Sequence, residues 1–301
     1  MKRIFIVIVV YNLIFGLSEN NDNSMKNYLP EKINHAIKID GILNETAWDE
    51  AEFIDDFIQI EPDYNFTPSV LTKTKVLYDD DFLYFGILLY DDMSSVKFKL
   101  GEYDDWENTF DEDSDYFSIE IDSYHSHHNV LVFAINSSGV KADSKYYDGY
   151  YDDSWNGNWE SSVSIDNEKW IIEAKIPITN LRFKNSNNLT MGVNFLRYKH
   201  SNNEYISWSK FPLNSQDEII KFYGHLNNMN FSMKNIFSIQ PYLQYSVVSY
   251  DDFYYQDFDY DANNDQIIGL TNPSAFRKKY DDETLGIDIN YLINSNLSLD
   301  F

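Results

Sequence analysis

Lys73-Thr74-Lys75-Val76-Leu77-Tyr78, then Asp79-Asp80-Asp81, then Phe82-Leu83-Tyr84-Phe85-Gly86-Ile87-Leu88-Leu89-Tyr90 is the stretch on which the fold turns. Two runs of strand length flank three carboxylates, and aspartates favour a turn because their side chains bond the backbone just ahead. The second run is nearly apolar on both faces, so it reads as a central strand covered from two sides. Working outward, the same texture repeats. Tyr116-Phe117-Ser118-Ile119-Glu120-Ile121-Asp122 alternates residue by residue, and Val130 to Ile135 is apolar and stops at Asn136-Ser137-Ser138-Gly139. Trp170 to Ile176 and Gly192 to Tyr198 complete the set, and only Thr46 to Ala51 suggests a helical turn. Short runs punctuated by turn residues predict an all-β chain folded as an antiparallel β-sandwich.

Composition points the same way. Tyrosine (24) and phenylalanine (21) dominate an aromatic content of 17%, and aromatics suit pleated, half-buried surfaces. The formal charge of -26 repels phosphate backbones, so nucleic acid is not an expected partner. With no cysteine, disulfides and thiolate chemistry are ruled out.

Lys2 and Arg3 followed by the apolar run Ile4 to Phe15 and the small residues Gly16 to Ser18 read as an export signal. The expected organisation is a signal peptide at 1–18, a polar linker at 19–32 and the sandwich at 33–228. Beyond about Met229 the pattern changes. Phe237, Ile239, Pro241, Leu243, Tyr245 and Val247 alternate with Ser238, Gln240, Tyr242, Gln244 and Ser246, and Leu285, Ile287, Ile289 and Tyr291 do likewise. Such dyad segments suit barrel strands in a membrane and equally an ordinary hairpin. On the pattern alone, residues 229–301 open either an ordinary hairpin or the first strands of a β-barrel, which needs at least about 8 strands in all.

Several pieces, in order, carry a family resemblance. Ile39-Asp40-Gly41-Ile42-Leu43-Asn44-Glu45-Thr46-Ala47-Trp48 opens the series, and Val76 to Tyr84 and Asp115 to Asp122 follow. Glu173-Ala174-Lys175-Ile176-Pro177, Leu181-Arg182-Phe183, Asn194-Phe195-Leu196-Arg197, Ile206-Ser207-Trp208-Ser209 and Gly224-His225-Leu226 close it. Together they resemble the family 9 carbohydrate-binding modules. With Ile239-Gln240-Pro241-Tyr242 they resemble the branch that precedes an outer-membrane barrel in Gram-negative bacteria. The resemblance implies a non-catalytic carbohydrate-binding domain of an exported protein, in the periplasm, outer membrane or cell surface, accessory to polysaccharide breakdown. It also implies structural calcium. A structural domain of a barrel protein without sugar binding is the alternative, and a glycoside hydrolase trails both, because no catalytic motif is present.

The family's sugar clamp uses two tryptophans and charged partners. Aligned here, those four positions fall on Glu112, Asp217, Ser118 and Ala134, and none keeps the family's residue. Trp106, Trp155 and Trp159 lie near in sequence and are the expected carbohydrate-binding residues, with loop packing as their other reading. Trp48, Trp170 and Trp208 are expected in the core. Asp104, Asp105, Glu107, Asp111, Asp113 and Asp115 form an acidic run of hard oxygen donors, and Asp111, Asp113 and Asp115 are the candidate calcium ligands. Asp259, Asp261, Asn263, Asn264 and Asp265 repeat the theme without the glycine and glutamate of an EF-hand loop. His125, His127 and His128 read as a polar hairpin loop rather than a metal site.

Overall fold

The computed structural model describes residues 25–110, 113–147, 149–183, 186–212 and 215–231, with 216–217 by backbone alone. It also describes the backbone of 236–253, 259–261, 266–269, 275–294 and 297–300. The expected signal peptide and most of the expected linker lie outside the described residues. The chain divides near residue 234 into two units.

The first unit holds fourteen strands: β1 (Asn27–Tyr28), β2 (Glu31–Lys32), β3 (Ile58–Glu61), β4 (Thr72–Tyr78), β5 (Phe82–Tyr90), β6 (Tyr116–Asp122), β7 (Asn129–Asn136), β8 (Lys141–Tyr147), β9 (Tyr150–Asp152), β10 (Glu160–Ile165), β11 (Lys169–Pro177), β12 (Leu189–Lys199), β13 (Glu204–Ser207) and β14 (Gly224–Met229). They form two sheets. The larger runs β1-β14-β12-β6-β7-β8-β9, with β13 bridging β12 to β3; the smaller runs β10-β11-β5-β4-β2. As its two apolar faces predict, β5 lies in the middle of the smaller sheet.

Alternation explains the packing. Leu83, Phe85, Ile87 and Leu89 of β5 face Phe117, Ile119 and Ile121 of β6, Phe133 of β7 and Val193 and Phe195 of β12 in one core, each fully buried. Burying side chains of this size contributes roughly 1.5–3 kcal/mol apiece. The other face of β5 is covered by the opening segment. Tyr84 and Leu77 pack against Trp48, Ala47 and Ile37. Gly86 leaves room for this cover, since a Cβ there would stand 2.9 Å from Leu43. Trp48, Trp170 and Trp208 are at most 2% exposed, as core residues should be.

The opening motif is pinned by one carboxylate. Glu173 of β11 accepts the indole N–H of Trp48 at 3.0 Å and the backbone N–H groups of Asp40 and Gly41 at 2.9 and 2.8 Å. Gly41 holds a positive φ of 83°, which a side chain would oppose. Asp79 accepts the N–H groups of Asp81 and Phe82 and so makes the turn between β4 and β5.

Two sequence expectations change. The linker does not run to residue 32: β1 pairs with β14 and β2 with β4, and Tyr28 is buried in the core. Both of these pairings are parallel, so the sandwich is mixed rather than purely antiparallel. The core also reaches past residue 228, through Met229 and Phe231.

The second unit is a sheet in the order β15-β18-β19, built from β15 (Ile236–Phe253), β18 (Ala275–Asn294) and β19 (Leu297–Asp300), with a short pair β16 (Asp259–Asp261) and β17 (Gln266–Gly269). In the β15–β18 register Phe237 opposes Tyr291, Ile239 opposes Ile289 and Leu243 opposes Leu285. The alternating positions noted in the sequence therefore fall on one another across the pair. Among the described residues no helix is long and apolar enough to cross a membrane, which leaves strands unaddressed.

Candidate functional site

On β6 the period of two sends Phe117, Ile119 and Ile121 inward and leaves Ser118, Glu120 and Asp122 on the outer face of the larger sheet. Register then builds rows across that face. Ser118 lies opposite Ala134 of β7 and Leu196 of β12. Glu120 lies opposite Val132 and Asn194, and Asp122 opposite Gly192.

Two short helices cover these rows. One is the π-helical turn Trp106–Phe110, tied down by Asp105, whose carboxylate accepts from Asn108 Nδ2 at 2.9 Å and Thr109 Oγ1 at 3.1 Å. The other is the 3-10 turn Gln216–Phe222. Trp106 joins Val130, Val132, Ile219, Ile220 and Tyr223 on one side and Phe110, Ala134 and Ala142 on the other.

Beneath this apolar cover the chemistry is polar. Glu120 Oε2 accepts from the Tyr223 hydroxyl at 2.5 Å and from Asn194 Nδ2 at 3.1 Å. Asn194 Oδ1 in turn accepts from Ser207 Oγ at 3.0 Å and the Ser209 N–H at 2.9 Å. Burial lifts the Glu120 carboxyl above its ordinary pKa, against the pull of the two hydrogen bonds. Burial also raises the Tyr223 phenol, and the neighbouring Glu120 charge adds to it. Ser118 Oγ and Trp106 Nε1 are buried and have no hydrogen-bond partner. Each such atom costs about 1–3 kcal/mol until something pairs with it.

The three expected tryptophans do not share a surface. Trp106 lies on the outer face. Trp155 and Trp159 pack edge-on against Phe133, whose side chain points to the other side of the same sheet, at 5.8 and 5.3 Å between ring centroids. Trp159 is 3% exposed and donates to Asp143 Oδ2 at 2.7 Å, so it is a core residue without a free ring face. Trp155 is half-buried under Lys145 Nζ, 4.8 Å from its ring centroid. Of the aligned clamp positions, Ser118 and Ala134 are cross-strand neighbours. Glu112 lies outside the described residues, as does the side chain of Asp217.

The expected calcium ligands also separate. Asp111 lies outside the described residues. Asp113 meets Lys99 at 3.3 Å on the surface, whereas Asp115 is fully buried and accepts the Lys97 N–H at 2.7 Å. Asp104 accepts the Asp143 N–H at 2.8 Å, and burial followed by the nearby Asp143 charge raises its pKa to about 6. Asp115 Oδ1 is buried without a hydrogen-bond partner, but Asp104, Asp113 and Asp115 meet different protein groups, and no set of three donors that could hold a metal forms among the described residues. The second acidic series falls in part on residues that are not described.

A model of the family described as "Carbohydrate family 9 binding domain-like" matches residues 39–221. The chain belongs to this family. Its members among solved structures include a family 9 module from Caldicellulosiruptor kristjanssonii in complex with cellotriose, 17% identical, covering 68% of this chain and 95% of that one, with a TM-score of 0.49. The fold is similar to that of a candidate carbohydrate-binding protein from Bacteroides uniformis ATCC 8492, 15% identical, covering 68% of this chain and 99% of that one, with a TM-score of 0.55. No curated protein matches the chain.

The Glu120 constellation was only half visible from the sequence of this family member. Alternation on β6 already puts Ser118 and Glu120 on one face. That Tyr223 and Asn194 meet Glu120 depends on pairing across more than seventy residues, as their hydrogen bonds show.

Proposed function

We propose that the domain binds carbohydrate on the outer face of the larger sheet, where Trp106, Ser118, Glu120 and Tyr223 come together. One observation carries the reading: a buried carboxylate and two buried polar atoms without partners lie on the same face of a domain from a carbohydrate-binding family. A sugar hydroxyl both donates and accepts. It can accept from Trp106 Nε1 and donate to Ser118 Oγ or Glu120, which satisfies atoms that the protein alone leaves unpaired. The indole can offer a pyranose ring an apolar face only once the two helices part. Because the helices 106–110 and 216–222 meet over the sheet, the sugar must part them to enter.

The test is calorimetric titration of the full chain with soluble oligosaccharides, with calcium and with chelator. Trp106→Ala and Ser118→Ala are each expected to weaken binding about 5- to 150-fold, a buried polar group left unpaired costing about 1–3 kcal/mol. Trp159→Phe is expected to leave it unchanged. Wild-type affinity in Trp106→Ala and Ser118→Ala overturns the assignment, and no binding to any glycan leaves a structural role for the sandwich.

We also infer that the domain serves polysaccharide breakdown at a Gram-negative cell envelope, with 229–301 opening a membrane barrel. The long β15–β18 pairing and its alternating sequence support this reading.

A further inference from the structure

The histidines of the β6–β7 turn gain a partner that the sequence does not reveal. Asp122 of β6, Gly192 of β12 and His225 of β14 are successive register partners across three strands. Gly192 has no side chain, and a Cβ there would come within 3.2 Å of Asp122 Cβ. The turn after β6 lies beside the gap this leaves. Asp122 accepts the N–H groups of Ser126 at 3.0 Å and His127 at 2.7 Å and so folds the turn back onto the strand. His125 and His127 both take left-handed backbone conformations, φ 51° and 63°. Side chains other than glycine enter that region seldom, histidine more readily than most.

The rings converge as a result. His125 Nε2 and His225 Nε2 share a hydrogen bond at 3.2 Å, one ring donating to the other, which a shared ion would replace. His127 packs edge-on to His125 with 4.7 Å between centroids. Its Nδ1 is buried, has no hydrogen-bond partner and lies 3.8 Å from Asp122 Oδ2. We propose that His125, His127 and His225 bind a divalent transition-metal ion of the imidazole-preferring class, with Asp122 as the oxygen donor. Four nitrogens about 2.0–2.1 Å from a central zinc stand about 3.3–3.4 Å from one another, so the two rings need to part only slightly to share an ion. Two histidines and a carboxylate, or three histidines, are the donor sets that zinc, copper(II) and nickel(II) accept. As the side chains stand, no three donors surround one point among the described residues. The ion draws the third in by rotation of His127, whose unpaired Nδ1 has no bond to give up.

The experiment is titration of the full chain with zinc chloride, with calcium present throughout to fill hard-oxygen sites. One zinc per chain is expected. His125→Ala and His225→Gln are each expected to weaken it at least about tenfold, since loss of an outer partner alone costs 10–100-fold. His35→Ala serves as the neutral control. A readout without substitutions accompanies it: zinc should protect His125, His127 and His225 from diethyl pyrocarbonate, mapped by mass spectrometry, and leave His35 reactive. Zinc affinity that survives both substitutions, or protection confined to His128, overturns the proposal. Sugar binding is measured separately, so this site and the glycan reading fail or stand independently.

Discussion

Glu120 shows how one residue sets the character of the outer face. Its carboxyl is buried, and burial raises its pKa above the ordinary value. A carboxyl whose pKa is higher folded than unfolded binds more protons in the folded state, so its charge costs stability above that pKa. The domain should therefore gain stability from this group as pH falls through the folded pKa toward the unfolded one. Glu120→Gln should remove that gain and flatten the corresponding part of the profile in urea denaturation at several pH values. Glu120→Ala should behave differently, because it strands the buried Tyr223 hydroxyl at a cost of about 1–3 kcal/mol. A profile unchanged by Glu120→Gln would show that the carboxyl is hydrated. At this scale the sequence was legible where a residue's face follows from alternation, as for Ser118 and Glu120. It was not legible where role depends on which face a loop folds over. Trp106 and Trp159 have the same side chain, yet the first caps the sheet and the second sits in the core.

At the scale of elements, the opening segment is held by Glu173 more than by any regular pairing. It has a helix of five residues and a turn at Gly41, and Glu173 gathers its backbone and the Trp48 indole. Glu173→Ala should cost roughly 3 kcal/mol, read as a lowered urea midpoint with an unchanged slope, since two or more buried donors lose their acceptor. A shift under about 0.5 kcal/mol would mean that water replaces the carboxylate. The β4 turn β5 hairpin was readable because both its runs and its turn are local. β1 and β2 were not, because two residues of strand have no period to detect, and their partners β14 and β4 are set by the finished sheets. Arg197 makes the same point. In sequence it is a charge within an apolar strand; in the fold it is fully buried, bonded to Asp91 at 2.7 Å, with burial bringing its pKa down to about 10.

At the scale of the molecule, the net charge of -26 is the strongest sequence statement. Like charges repel across the surface, and salt screens them within about 10 Å at 0.1 M. The melting temperature should rise as sodium chloride goes from 0.01 to 0.5 M, checked by scanning calorimetry; a fall would show that specific surface ion pairs outweigh the general repulsion. Aspartates and glutamates number 49 against 23 lysines and arginines, so more than half of the carboxylates exceed what one-to-one pairing could neutralise. The class of fold followed from composition and alternation alone. The mixed pairing did not, since it comes from the first strands after the expected leader.

Those first strands have a mechanical meaning. β1 runs parallel to β14, the last strand of the sandwich, with Asn27 beside His225 and Tyr28 beside Leu226. Tension applied between the two ends of the domain pulls such a pair lengthwise in opposite senses, so its bonds are loaded together instead of unzipping one at a time. The Tyr28 hydroxyl, bonded to the Glu52 carbonyl at 2.7 Å, acts as a rivet beside this short seam. A domain stretched between its two ends would resist at that spot first.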